Sequence, residues 1–412
     1  MTGYQGRRRA DRTSSGHGHA HAHAHGAPPE LVVAPVPRIA LLGVLAAVGV
    51  AVVVGLIALW PSSGAVHALQ GKTDFAAPGT TFPHGTVRSV QPACPPDRQD
   101  ASCGHLQVEV DGTTVSVPVA PEVSASGLAP GDRVQLQRTP AAGGGNGQPT
   151  YGFYKVDRGR SMWLLAGLFA LVVIAVARLR GLLALVALSL GVVVIALWLL
   201  PSLLSGHDPV LAALVAAAVI LYAVLYLTHG LSLRTSAALA GTLGGLAATA
   251  LLGLLFTGAA HLSGVGDEGG TLLTSLGSGI DFQRLMTATV VIAGLGVLND
   301  VTITQASAVW ELRAASDSLS RRQLWTSAMR IGRDHIASTI YTIVFAYAGT
   351  ALLTLLLVRL YDRPLWETLG TESMAEEVVR SLVSAVGLVL AVPITTAVAT
   401  AVVPSRGAEE QP

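Results

Sequence analysis

The chain has 412 residues, of which 51% are apolar and only 12% charged, and its mean hydropathy is +0.56, a balance outside that of soluble domains. With 26 basic groups against 25 acidic ones, the net charge is +1. That removes the ground for a nucleic-acid partner, which needs a strong positive field, and points to the lipid bilayer as the chain's main surroundings.

Residues 1–37 are polar and rich in Gly, His and Pro, with Arg7, Arg8, Arg9 and Arg12 near the front. Without apolar periodicity they are read as a disordered leader. Within it His17, His19, His21, His23 and His25 alternate with Gly or Ala. Neutral imidazoles at that density can capture Zn, Ni or Cu; the plainer reading is an unstructured tract that holds no metal.

Apolar stretches of roughly spanning length follow at residues 39–60, 162–177, 181–200, 209–228, 235–259, 285–310, 336–358 and 381–403, eight candidate transmembrane helices. Arg178 and Arg180, then Arg234, then Arg313, Arg321, Arg322, Arg330 and Arg333, and finally Arg406 fall on alternate loops that share a side with the basic N-terminus. Positive residues are retained in the cytoplasm, so both termini are expected there. The opposite loops carry Arg284, Arg359 and Arg363, balanced by Asp281, Asp362, Glu367 and Glu372. Residues 38–60 are read as an uncleaved anchor; Val66-His67-Ala68 offers a small-residue site for the alternative, a cleaved signal.

Residues 61–161 form the one long polar stretch between spans, expected on the far side. Residues 86–90, 106–110, 114–119 and 133–137 alternate apolar with polar at period two, and residues 151–156 make a fifth strand. Asp111-Gly112 is a hairpin signal. Five short strands suggest a small barrel of the oligonucleotide/oligosaccharide-binding type or a sandwich. Cys94 and Cys103, the two cysteines of the chain, lie here in a Pro- and Asp-rich loop. A disulfide closing that loop suits an oxidising compartment; the alternative is two unpaired thiols.

The sixth stretch contains Asn299-Asp300 inside the apolar segment. At the helical rise, Asp300 lies about 24 Å from Arg284 and roughly 16 Å from Glu311. A carboxylate in hydrocarbon costs at least ~2.5 kcal/mol on insertion scales, so it is expected to be paired, protonated or faced by water. Gly296, Asp300, Thr304, Ser307 and Glu311 form one stripe, expected to point inward, with Asn299, Thr304 and Ser307 supporting Asp300. This is read as a proton- or ion-handling group; the alternative is a structural carboxylate capped by hydroxyls.

On the seventh stretch His335, Thr339, Thr342, Ala346 and Gly349 share a face that could meet it, or serve as packing. Gly241 and Gly245 have the GxxxG spacing of close helix packing. Residues 313–335 alternate Arg with apolar side chains, as an amphipathic helix on an anionic membrane face would. No phosphate loop, HExxH or GxSxG motif is present, so neither an enzyme nor a resident cofactor is expected.

Tyr154-Lys155-Val156-Asp157-Arg158-Gly159-Arg160 with Arg178-Leu179-Arg180-Gly181-Leu182-Leu183, and Gly294-Leu295-Gly296-Val297-Leu298-Asn299-Asp300-Val301 with Glu311-Leu312, resemble the YibE/F family of multi-pass bacterial membrane proteins over roughly residues 75–403. The resemblance implies an anchor, an extracytoplasmic domain and a helical block in a bacterial cell membrane. Asn299-Asp300-Val301, Glu311-Leu312-Arg313 and Ser338-Thr339 are also similar to the fourth-to-fifth helix region of SecD/SecF and resistance-nodulation-division transporters. That similarity implies a carboxylate coupling proton flow to movement of the outer domain.

The expected architecture is a polytopic α-helical membrane protein with a small extracytoplasmic all-β domain: leader 1–37, anchor 38–60, β domain 61–161, seven-helix block 162–403 and tail 404–412. Two functions suit it. One is a proton-coupled secondary transporter or export-related protein using Asp300; the other is an envelope assembly or binding protein whose β domain engages a partner. Substrate, partner protein and self-association are left open by the sequence.

Overall fold

In the computed structural model the described residues are 35–70, 76–92, 104–140, 148–265, 268–275, 279–360 and 364–404. Cys94, Cys103 and the five leader histidines lie outside them. The chain is mostly helical, with one small β half-barrel. α1 (Pro35–Ala58) and the short α2 (Ser63–Gln70) lead into strands β1 (His84–Val90), β2 (His105–Val110) and β3 (Thr113–Pro118). A single turn, α3 (Pro121–Ser124), precedes β4 (Arg133–Thr139) and β5 (Thr150–Val156).

The five strands form one antiparallel sheet in the order β3-β2-β1-β4-β5, and its edge strands β3 and β5 come together. This is a curled half-barrel and not a two-layer sandwich. Alternation does the work expected of it: Leu106, Val108 and Val110 on β2 point inward with Val87, Val117, Val134 and Leu136. The β2–β3 turn has positive φ at both Asp111 (49°) and Gly112 (78°), the conformation that matches strand twist in a two-residue hairpin. Gly85 lets β1 approach β2, because a Cβ there would overlap Val108 and Val110.

The helical block begins with α4 (Gly159–Val194), which runs through a π-helical turn at Ile195–Leu199 into α5 (Leu200–Leu204). Arg178 breaks α4 with φ 53° and ψ −131°. A Cβ on Gly181 would lie 2.5 Å from Val173 O, whereas eight residues of straight helix rise about 12 Å. The chain therefore doubles back at Arg178, at the boundary expected between the second and third stretches.

α6 (Pro209–His229), α7 (Leu233–Ala259), the short α8 (Glu268–Ser275), α9 (Phe282–Ala315), α10 (Arg321–Thr350), α11 (Leu352–Leu360), α12 (Leu365–Leu369) and α13 (Glu372–Val402) complete the fold. Caps mark the starts: Asp208 accepts from Leu211 N, Ser232 from Thr235 N and Asp281 from Arg284 N, and Ser320 with Gln323 makes a reciprocal capping box.

Among the described residues six helices are long and apolar enough to cross a membrane: Val36–Ala58, Gly159–Leu204, Pro209–His229, Leu233–Ala259, Phe282–Ala315 and Glu372–Val402. The difference from eight has two sources. Gly159–Leu204 holds two expected stretches joined at Arg178. The seventh is divided between the end of α10 and α11, and the charged first half of α10 keeps that helix out of the apolar set. That half is also not a separate surface helix, since α10 is continuous and buries Leu324, Ala328 and Gly332.

α7, α9 and α13 pack together most extensively. They approach through glycine: Gly241 meets Thr395, Gly245 meets Ala391 and Leu298, and Gly387 meets Thr249. The GxxxG pair thus packs as expected, against α13. Opposite ends of the block are tied separately. At one, Arg284 pairs with Asp208 at 2.7 Å, Glu372 accepts from Ser263 N and Oγ at 2.6 and 2.9 Å, and Ser62 N donates to Ser205 Oγ at 2.9 Å. At the other, Arg313 Nη1 donates to Asp317 O and Leu319 O, closing the α9–α10 loop.

Candidate functional site

The packed face of α9 is Leu298, Val301, Thr302, Gln305, Ala306, Val309 and Arg313. The expected stripe lies on the other side. Gly296, Asp300 and Glu311 are exposed and Thr304 and Ser307 half-buried, so the stripe faces away from α7 and α13, which corrects the inward placement. The error has a physical origin: a polar stripe in an apolar helix was assigned to the protein interior, yet α9 carries a second polar line, and Thr302, Gln305 and Arg313 take that place.

The buried line is hydrogen-bonded. Thr242 and Thr302 hydroxyls share a bond of 2.5 Å across α7 and α9. Gln305, 1% exposed, donates from Nε2 to Ala328 O at 3.0 Å and to Thr396 Oγ1 at 2.7 Å, joining α9 to α10 and α13. The sequence held a signal for Gln305, an amide in a spanning helix that needs a hydrogen-bond partner on a neighbouring helix. Without knowing the packed face, it could not be ranked above Asp300.

Thr304 Oγ1 donates at 2.8 Å to the backbone oxygen of Asp300, the back-bond usual for Thr in helices, and so it does not support the carboxylate. Ser307 and Glu311 are roughly 10 and 16 Å farther along the axis. Asp300 finds charged company on other elements instead. His229, at the end of α6, feels the charges of Arg234, Arg180 and Asp300, so the α4 reversal and the α6–α7 turn converge on one place near α9. Among the described residues neither Arg180 nor Arg234 makes an ion pair.

Asn299 opens onto a cleft of about 310 Å³ between the second half of α4, α6 and α9, walled by Ala187, Leu188, Gly191, Ile220 and Leu295 and reaching Thr228 and Gly296. Its Oδ1 is buried without a hydrogen-bond partner. The structure therefore brings Asn299 and Asp300 to one site and leaves Thr304, Ser307 and Glu311 out of it. On α10, His335, Thr342, Ala346 and Gly349 are exposed. Thr342 and Ala346 line a smaller cleft of about 160 Å³ with Gly294, Val297 and Ser384, away from Asp300. Among the described residues no group of three His, Cys, Asp or Glu could hold a metal.

Residues 165–405, more than half of the chain and including every element of this site, match the family model described as YibE/F-like protein. The chain belongs to the YibE/F-like family. The match begins after the β half-barrel, so that domain of this YibE/F-like protein lies outside the matched region, a narrower extent than the 75–403 expected. No curated protein and no solved structure matches the chain.

Proposed function

We propose that this YibE/F-like protein is a proton-coupled secondary transporter in which Asp300 gains and loses the proton. The carrying observation is Asp300 itself, a carboxylate inside a spanning helix, next to Asn299 on an apolar cleft and within electrostatic reach of His229. An ionisable group within a spanning helix is costly and is kept chiefly where ions or protons move.

Eight crossings underlie the reading. α4 supplies two by reversing at Arg178. The chain must also return from the Arg313 end, where α10 starts, to the Glu372 end, where α13 starts, and α10 with α11 is the path. The alternation of arginine-bearing loops supports cytoplasmic termini in a bacterial cell membrane, which leaves the β half-barrel extracytoplasmic. No catalytic chemistry enters the reading.

The rival is an envelope assembly protein that does not transport. The first half of α4 favours it, with Trp163, Leu165, Leu168, Phe169 and Leu171 all exposed, a surface for a partner helix as well as for lipid. The two separate in cells that depend on the protein. Coupling requires that Asp300→Asn insert normally and lose function, and that a protonophore abolish wild-type function. Normal function of the Asn variant would leave the assembly reading standing.

A further inference from the structure

The cleft beside Asp300 has an apolar body and a cationic end. Leu188 and Val192, on its α4 wall, are also largely exposed, so it opens sideways toward the surroundings of the helices, where acyl chains lie. Thr228 and Asn299 mark one end; His229 follows Thr228 directly, Arg234 opens the next helix after the short α6–α7 turn, and Arg180 lies one helical turn before Ala184 of the cleft wall. The arginines are held in place by backbone features: Arg180 by the reversal at Arg178, and Arg234 by the Ser232 cap that starts α7. Both lie unpaired among the described residues.

We infer that this cleft is a binding site for an anionic phospholipid, one acyl chain lying between α4, α6 and α9 and the phosphate resting on Arg180 and Arg234. Charge complementarity selects the occupant. A zwitterionic lipid could fill the apolar body but would bring no net charge to two unpaired guanidiniums, which are suited to bidentate phosphate contact. Basic pockets between helices at the cytoplasmic face favour anionic headgroups for this reason. Asn299, whose buried amide oxygen has no partner, lies where the glycerol region would come and could turn its amide nitrogen toward an ester oxygen. The binding itself does not require proton coupling, so it stands or falls apart from the proposed role of Asp300.

Native mass spectrometry of the purified full chain, delipidated and re-supplied with phosphatidylglycerol or phosphatidylcholine, tests the site. Phosphatidylglycerol is expected to be retained roughly thirtyfold better, the scale set by two basic residues near an anionic headgroup. The double variant Arg180→Gln/Arg234→Gln should bind the two lipids equally. Gly296→Leu should lower retention of both, because Gly296 lines the cleft and a Cβ there meets nothing within 4 Å, so the larger side chain fills space without forcing the helices apart. Unchanged thermal melting in both variants assigns the losses to the site. The inference is overturned if wild type shows no preference, if the preference survives the double variant, if Gly296→Leu binds as wild type does, or if inorganic phosphate displaces phosphatidylglycerol.

Discussion

Asp300 and Gln305, five residues apart on α9, face opposite ways: Asp300 is exposed while Gln305 is 1% exposed and bonded to α10 and α13. At 3.6 residues per turn their directions differ by about 140°. The same helix thus carries one polar group bonded into the bundle and one turned away from it.

Gln305→Ala should therefore destabilise the protein by about 1–2 kcal/mol, from the lost interhelical bonds and the space left behind. Asp300→Asn should leave stability unchanged within ~0.5 kcal/mol, as surface substitutions do. Thermal unfolding in detergent measures both, and a larger loss for Asp300→Asn than for Gln305→Ala would contradict the assignment of faces.

Glycine positions offer a second contrast. A Cβ at Gly387 would overlap Thr249, so Gly387→Ala should cost about 1–3 kcal/mol as overpacking. Gly349 and Gly258 have nothing within 4 Å of the same atom, and alanine there should be neutral or slightly stabilising, given the better helix propensity. The order of melting temperatures for the three variants decides it.

Asp208 and Arg284 form a 2.7 Å pair with side chains 27% and 42% exposed, a setting in which solvent screening leaves no more than about 1 kcal/mol. Asp208 also caps α6 through Leu211 N at 3.0 Å, worth about another 1 kcal/mol. Asp208→Ala should consequently destabilise more than Arg284→Gln, and added salt should close most of the gap between wild type and Arg284→Gln while leaving the cap's share of the Asp208→Ala loss. Melting at low and high ionic strength checks both statements.

In the β domain, Gly85→Val should disrupt the half-barrel, because Val108 and Val110 occupy the space its side chain needs. Limited proteolysis of the full chain should then cut within residues 76–156 while the helical block stays intact.

Local signals were the legible part of this protein. The Asp111-Gly112 turn and period-two alternation placed all five strands within about two residues, because hairpin chemistry and inward alternation are set by neighbours in sequence. Apolar runs located the spans, and the reversal at Arg178 fell between two of them. Facing was not legible. Whether Asp300 or Gln305 looks into the bundle depends on which side of α9 meets α7 and α13, and that contact is made by glycines far away in sequence, Gly245 and Gly387 among them. The surroundings of Asn299 were hidden for the same reason: the cleft it opens onto is walled by residues of α4 and α6 far away in sequence, Gly191 and Ile220 among them.

The central claim is that Asp300 couples proton movement to the work of the protein. Proton flux into liposomes holding purified protein, driven by an imposed pH gradient, tests it most directly, with wild type and Asp300→Asn reconstituted to equal density and orientation. Coupling at Asp300 requires a protonophore-sensitive, protein-dependent flux in wild type that falls to the empty-liposome level in Asp300→Asn. Equal flux from the two proteins, or none above background from wild type with its transported substrate supplied as a total membrane and cytosol extract, would contradict it.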